Sequence, residues 1–364
     1  MRSRFLAPAL LLLLASCAPT AAGSATLGKS SPSAVATPTP TPTPSPTPAP
    51  LSLASIFGNT KPDLTPYDPA QLRTIIATGD VIPARTTNWK MVNYHDFLYP
   101  WRKAVNYLKS GDLLFVNLEA PLTIGCPATM SGMTFCGDQR DIQGFTYAGV
   151  NVANLANNHS TNYGQQGVNQ TVSLLRKNGI GVCGLGYWEI KNIRGVRFAF
   201  LGFNGVGQRV DTAEMKREIS IVRPQADVVI VQFHWGKEYE LMPKIAPGVA
   251  PDNPRIIGHL AIDDGADLVI GNHPHWVQPV EIYKGKLITY AHGNFIFDQM
   301  WSQETREGVV GKYTFYGTQL LRVDYQPVRI DDYAQPQMLD PSTGEGRDIL
   351  SRMETASNQI AAGA

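Results

Sequence analysis

The sequence predicts an α/β fold, a layered domain whose functional loops collect at one edge of its sheets. Three observations predict it. Short β-branched runs alternate with helical patterns, strands outnumber helices, and run after run ends in a polar cluster instead of an ordinary turn. Asp80, Glu119, Asn158-His159, His234 and the pair His273/His275 each stand at such an end, where open α/β sheets place their ligands. The 364 residues are 43% hydrophobic and 17% charged with a net charge of +1. That is enough chain for one large domain or two ordinary ones, and a balance that gives nucleic acid or an anionic membrane surface no electrostatic hold.

The elements follow in order. Met1–Arg4 carries two arginines and Phe5–Leu14 is an apolar run too short to span a bilayer. Leu14-Ala15-Ser16-Cys17 comes next, so residues 1–17 are expected to be an export signal. It resembles a bacterial lipoprotein lipobox, which makes Cys17 the lipidated first residue of the mature chain. Residues 18–68 are expected to be a tether. Thr37–Pro50 alternates Thr, Ser or Ala with Pro, a polyproline II pattern reaching on the order of 100 Å from a membrane. The folded domain is expected over 69–330, and 331–364 is expected to be a loose tail.

Within the domain, Arg73–Thr78 is a strand stopping at Gly79-Asp80, and Trp101–Leu108 has a helical period. Leu113–Val116 is a strand ending at Asn117-Leu118-Glu119. Pro121–Gly144 reads as an irregular loop pinned by Cys126 and Cys136, which are placed to pair in an oxidising compartment; Cys183 is left over as a small buried residue. Val152–Ala156 is a strand ending at Asn157-Asn158-His159, and Val168–Lys177 is a helix. Ile180–Leu185 and Arg197–Phe203 are strands, and Asp227–Gln232 is another ending at His234-Trp235-Gly236. Pro254–Asp264 is a helix, Leu268–Ile270 a strand, and Lys284-Gly285-Lys286 turns a hairpin; Leu320–Tyr325 closes the sheet.

After Gly271-Asn272, an extended backbone would point His273 and His275 the same way. If the strand-end clusters converge, they offer two carboxylates, one amide oxygen and three or four imidazoles. That mixed set suits Mn, Fe or Zn rather than Ca. Glu119 is placed to bridge a pair of ions about 3.5–4 Å apart, and His159 to protonate a leaving oxygen. Plainer roles exist for the same residues: Glu119 as a buried partner of Arg85, His234 as a packed core residue, His292 as a structural one.

The motifs in sequence, G-D-V-I-P-A-R (79–85), N-L-E-A-P-L-T (117–123), L-A-N-N-H-S-T-N-Y-G (155–164), H-W-G-K-E-Y (234–239), H-P-H-W-V-Q (273–278) and G-N-F-I-F-D-Q (293–299), resemble the calcineurin-like metallophosphoesterase superfamily. The closer resemblance is to its CapA branch, the poly-γ-glutamate capsule family. It implies a metallophosphatase-like α-β-β-α sandwich with metal-site loops at the strand ends. Asp80 and His275 would serve one divalent ion, Asn158, His234 and His273 a second, with Glu119 between them. Arg85, Trp235, Glu238, Tyr239, Gln278 and Asn294 would line a substrate groove. The chain departs from the pattern where Ile82 replaces an imidazole, Glu119 an aspartate, and Asn162 the aspartate behind His159. The implied role is that of an exported cell-membrane lipoprotein on the extracytoplasmic face. There it would work with a membrane polymer-synthesis complex on an anionic envelope polymer such as poly-γ-glutamate. An active metal-dependent phosphoesterase and a non-catalytic polymer-binding lipoprotein are the alternatives.

Overall fold

The computed structural model describes residues 48–58 and 60–363. The expected signal with Cys17 and most of the Thr/Pro tether lie outside the described residues. Among those described, no helix is long and apolar enough to cross a membrane. The strands are β1 Leu72–Val81, β2 Leu113–Leu118, β3 Leu122–Thr123, β4 Gly137–Asp138, β5 Val150–Asn154, β6 Gly181–Cys183, β7 Glu189–Ile193, β8 Val196–Asn204, β9 Val228–His234, β10 Leu268–Asn272, β11 Val280–Tyr283, β12 Lys286–Thr289, β13 Asn294–Ile296, β14 Glu307–Tyr316, β15 Gln319–Asp331 and β16 Gln335–Met338.

They form two main sheets. One runs β16-β15-β14-β1-β2-β5-β6 with β13 attached to β1, the other β11-β12-β10-β9-β8-β7. In the first, β1, β2, β5 and β6 are parallel; in the second, β8, β9, β10 and β12 are parallel. The strand period of two sorts the side chains into layers. Ile75, Phe115, Phe198, Phe200, Ile230 and Ile270 meet between the sheets. Ile76, Leu114 and Val116 face outward onto Phe145, Val168 and Leu175, carried by the helices Ile142–Ala148 and Gly164–Lys177. On the other side, Leu201, Val229, Val231 and Val269 pack on Met215, Ile219 and Ala261, from the helices Thr212–Val222 and Pro254–Asp263. The result is the α-β-β-α sandwich. Burial on both faces is why these strands read as continuous apolar runs, and each such side chain contributes about 1.5–3 kcal/mol of transfer free energy.

The folded body is longer than 69–330 at both ends. Leu53–Phe57 is a helix with Ile56 buried, and Phe57 lies 6.2 Å from the Tyr325 ring. The expected loose tail instead forms β16, paired with β15, and the helix Gly344–Ala361. Ile349, Met353, Ala356 and Ile360 of that helix are buried, at the i, i+4, i+7, i+11 spacing of one helix face. The Trp101–Leu108 pattern yields only a 3-10 turn at Tyr99–Trp101 and one α-turn at Val105–Leu108. The 121–144 loop is less irregular than expected. It contains the parallel β3–β4 pair and the Cys126–Cys136 disulfide, and at Ile142 it enters a helix.

Replacing Met353 by Ala empties a fully buried site. The expected cost is about 2–5 kcal/mol of unfolding free energy in urea denaturation; a loose tail would show less than about 0.5 kcal/mol.

Candidate metal centre

Each strand-end residue is delivered by a backbone built for close approach. β1 runs three residues beyond Thr78, because Asp80 N–H donates to Gly293 O at 2.9 Å. A Cβ on Gly79 would meet that same carbonyl at 2.1 Å, so only glycine lets the strands close there. Likewise, a Cβ on Gly271 would lie 1.9 Å from Tyr290 O. β10 stops at Asn272, and the next segment is not extended: His273 has φ +99 and His275 φ +57. The imidazoles converge through two strained residues and not through strand alternation. Their ring centroids are 5.9 Å apart, and His273 is 4.7 Å from His234.

Asp80, Glu119, His234, His273 and His275 are all buried, and they fall into two interlocking groups. Ligand atoms of Asp80, Glu119 and His234 lie within 4.8 Å of one another, as do those of Glu119, His273 and His275. Glu119 belongs to both, which is the place of a bridge. Among the described residues, neither Glu119 oxygen and neither His273 nitrogen has a hydrogen-bond partner. His234 Nε2 lies 3.2 Å from Glu119 Oε1, but it is engaged with Asn158 Oδ1 at 2.9 Å. Arg85 does not reach Glu119: it pairs with Asp298, which also accepts from Thr86 N–H at 3.0 Å.

Asparagines frame the carboxylate. Asp80 Oδ1 accepts from Asn117 Nδ2 at 2.9 Å and Asn272 Nδ2 at 2.8 Å, while Asn154 Nδ2 donates to Asn117 Oδ1 at 3.1 Å. These three asparagines stand at strand ends, and an amide there gives no signal in the sequence that separates a carboxylate support from an ordinary turn residue. Burial opposes ionisation of Asp80, but His275, His234 and Asn117 outweigh it and keep its pKa below the usual value. Burial and the adjoining Asp80 charge hold Glu119 well above the carboxylate range. Burial drives His234 down to about 3 and His273 well below the usual imidazole value. Burial would lower His275 too, yet Asp80, Glu119 and Glu238 raise it to about 9. Two neutral imidazoles and an unpartnered carboxylate, sealed from water, form a donor set that fits a divalent cation.

His159 sits beside this cluster, within the electrostatic reach of His234 and His275. Its ring stacks on Phe135, carried by the disulfide-closed loop, at 3.9 Å between centroids and 18°. Asn162 does orient it. Asn162 Oδ1 accepts from Phe135 N–H at 2.6 Å and lies 2.9 Å from His159 Nδ1. Nδ1 therefore carries the hydrogen and Nε2 the lone pair. Burial lowers its pKa to about 4, so at neutral pH it is an acceptor until something charges it.

The six expected groove residues divide. Trp235 is buried, stacked on Phe233 at 4.5 Å, with its indole N–H given to Tyr290 O. Gln278 is fully buried and donates to Glu240 O, and Asn294 is fully buried behind His275. All three are corrected from groove to framework, because each is buried and its side-chain N–H groups are given to carbonyl or amide oxygens inside the protein. Arg85 is half-buried, its guanidinium between the Phe135 and Phe297 rings. Glu238 and Tyr239 remain at the rim beside Trp301, which is 61% exposed. His292 is buried against Tyr313 OH at 2.8 Å, a structural position. The larger surface cavities, of 410 and 570 Å³, are lined by residues remote from this cluster.

Residues 74–299 match the family model described as bacterial capsule synthesis protein PGA_cap. The chain is 28% identical over 289 residues to the capsule biosynthesis protein CapA of Bacillus anthracis, covering 71% of this chain and 68% of that protein. It is 31% identical over 228 residues to the PGA biosynthesis protein CapA of Bacillus subtilis, covering 57% and 58%. Among solved structures, a phosphatase from Mycoplasma pneumoniae aligns with a TM-score of 0.48 at 12% identity, over 72% of this chain and 95% of that one. With its motifs matched in order across more than half its length, the chain belongs to the PGA_cap family of bacterial capsule synthesis proteins.

Proposed function

We propose that this capsule synthesis protein acts outside the cell, held to the membrane through Cys17, in making, exporting or anchoring an anionic polymer of the poly-γ-glutamate kind. In this reading it works through a cation-bearing site at the ends of β1, β2, β9 and β10, beside the membrane complex that makes the polymer. One observation carries the metal reading: Glu119 and His273 are buried side by side and, among the described residues, none of their four polar side-chain atoms has a hydrogen-bond partner.

Asp80, Glu119, Asn158, His234, His273 and His275 would hold one or two ions of Mn, Fe or Zn type. When bound, such a cation supplies Lewis-acid polarisation of a phosphoryl or acyl oxygen. The chain's own residues do the rest. Asn117 and Asn272 fix Asp80, Asn294 fixes His275, and the Phe135 face excludes water from one side of His159. A second reading, active hydrolysis of a phosphoester or similar envelope bond, is favoured by His159. Its Nε2 lone pair is free to take a proton from an attacking group and pass it on.

Elemental analysis of the purified protein is expected to find at least one equivalent of metal, with most of it lost in both His234→Ala and His273→Ala. Metal-replete protein that also turns over bis(p-nitrophenyl) phosphate with added Mn establishes hydrolysis; metal without turnover leaves the assembly role. Scattered or absent metal overturns both.

Protons compete with that cation. Glu119 holds its proton above the usual range and His275 is protonated up to about pH 9, whereas ligands must be deprotonated to bind. Mn affinity is therefore expected to rise between pH 6 and 9. Calorimetry in buffers of different ionisation enthalpy should show protons released on binding. An affinity flat across that range would contradict the assignment of these two groups.

A further inference from the structure

We infer that Glu238 is an additional metal ligand, closing the side of the centre formed by Glu119, His273 and His275. This inference rests on the metal reading above and extends it to a residue from the rim.

The geometry follows from one tautomer. Asn294 Nδ2 donates to Thr305 O at 2.9 Å and to Gln299 Oε1 at 3.2 Å, so its oxygen is the atom facing His275 Nδ1 at 2.9 Å. Nδ1 then carries the hydrogen, shared with Asp80 Oδ2 at 3.2 Å. In the neutral ring that a cation would bind, the lone pair of His275 is on Nε2, on the opposite side of the ring from Asp80. Glu238 Oε1 lies 3.8 Å from that Nε2 and 3.9 Å from His273 Nε2, and His273 has no hydrogen-bond partner at either nitrogen. Neighbouring ligands that each stand about 2.0–2.2 Å from one tetrahedral ion are about 3.3–3.6 Å apart, so a shift of a few tenths of an ångström in the partly exposed Glu238 side chain brings it to that spacing.

The strand that carries Asp80 supplies no further donor. Ile82 is fully buried with Ala84, Ala120, Phe135 and Phe297, so any other protein ligand must come from a different segment. Glu238 is held in place for it. Tyr239 N–H donates to Pro274 O at 3.0 Å, which ties the Glu238 loop to the backbone between the two histidines. Tyr239 itself has φ +57, and its hydroxyl is fixed by Gln299. The Glu238 side chain is 39% exposed, so no packing is lost when it changes. It is also the acidic group of this centre in contact with solvent, a position from which a carboxylate can leave one ligand site open to an incoming anion.

Mn(II) titration of the full-length protein by calorimetry tests this, comparing Glu238→Gln and Glu238→Ala with Glu240→Gln. Glu240 bears the same charge two residues away and pairs with Lys237 and Lys244, so its variant reports loss of general field alone. A ligand role predicts roughly 10- to 100-fold weaker Mn binding in both Glu238 variants, with Glu240→Gln within about twofold of wild type and circular dichroism unchanged in all three. Wild-type affinity in Glu238→Gln, or equal weakening in Glu240→Gln, overturns the ligand role while leaving the six-residue centre standing. A wild-type protein that binds no Mn overturns the centre and this inference with it.

Discussion

Charge without water is the constraint from which the rest of this structure follows. Two carboxyl groups and three imidazoles are buried within a few ångströms of one another at the ends of four strands. Moving an ionised carboxylate into such surroundings costs several kcal/mol unless something of opposite charge accompanies it. With protons as the sole compensation, Glu119 retains one and His275 gains one, both against their ordinary tendencies in water. A divalent cation meets the same need with one particle. The two solutions exclude each other, which would link metal occupancy to pH through the same residues that would do the binding.

That arrangement is held by side-chain hydrogen bonds from the strands and by backbone conformation. Asp80 is fixed by hydrogen bonds from strands of both sheets, through Asn117 on β2 and Asn272 on β10. The two sheets are therefore joined at this edge by a charged group and not only by the apolar layer between them. His273 and His275 occupy positive φ, which costs of order 1–3 kcal/mol each. Such strain persists when the surroundings determine it, and here Gly271 permits the close approach to Tyr290 while Pro274 O is tied to Tyr239. A rigid frame of this sort keeps the candidate ligands at a spacing suited to a cation, even though Glu119 and the His273 imidazole find no hydrogen bonds among the described residues.

The sandwich and the residues of the centre were legible because both leave local signals. β9 and β10, buried on two faces, are unbroken apolar runs, and each ends in residues too polar for an ordinary turn. What stayed hidden depends on partners distant in sequence. Glu307–Tyr316 is interrupted by Gly308 and Gly311 and carries no clear strand signal, yet it pairs along its length with β15 and over Gly311–Tyr316 with β1. Thr86–Tyr94 begins at Arg85 with φ +52 and no side-chain cap, so no start signal marks that helix. The C-terminal helix does carry a readable pattern at Ile349, Met353, Ala356 and Ile360, but a position near the end of the chain favours looseness until the helix finds β11 and β15 to pack on. Trp235 misled for the opposite reason. An aromatic beside a ligand suggests a groove, whereas its indole N–H is satisfied by Tyr290 O and its ring is buried against Phe233.

Asn162 decides how far the chemistry of this centre can be carried. A carboxylate behind His159 would stabilise the imidazolium and make the ring a ready acid. The amide oxygen found there fixes ring orientation and tautomer equally well, since it also accepts from Phe135 N–H, but it adds no charge. Burial then dominates and the ring stays neutral near pH 7. Protonation of a leaving oxygen must draw on a proton that arrives with substrate, for instance one taken from an attacking hydroxyl during the reaction. Binding an anionic polymer at the cation asks nothing of His159. The same side chain is thus compatible with a binding and assembly role at every pH where the cation is held, and with hydrolysis only where the substrate brings its own proton, which is the physical reason the assembly reading stands first.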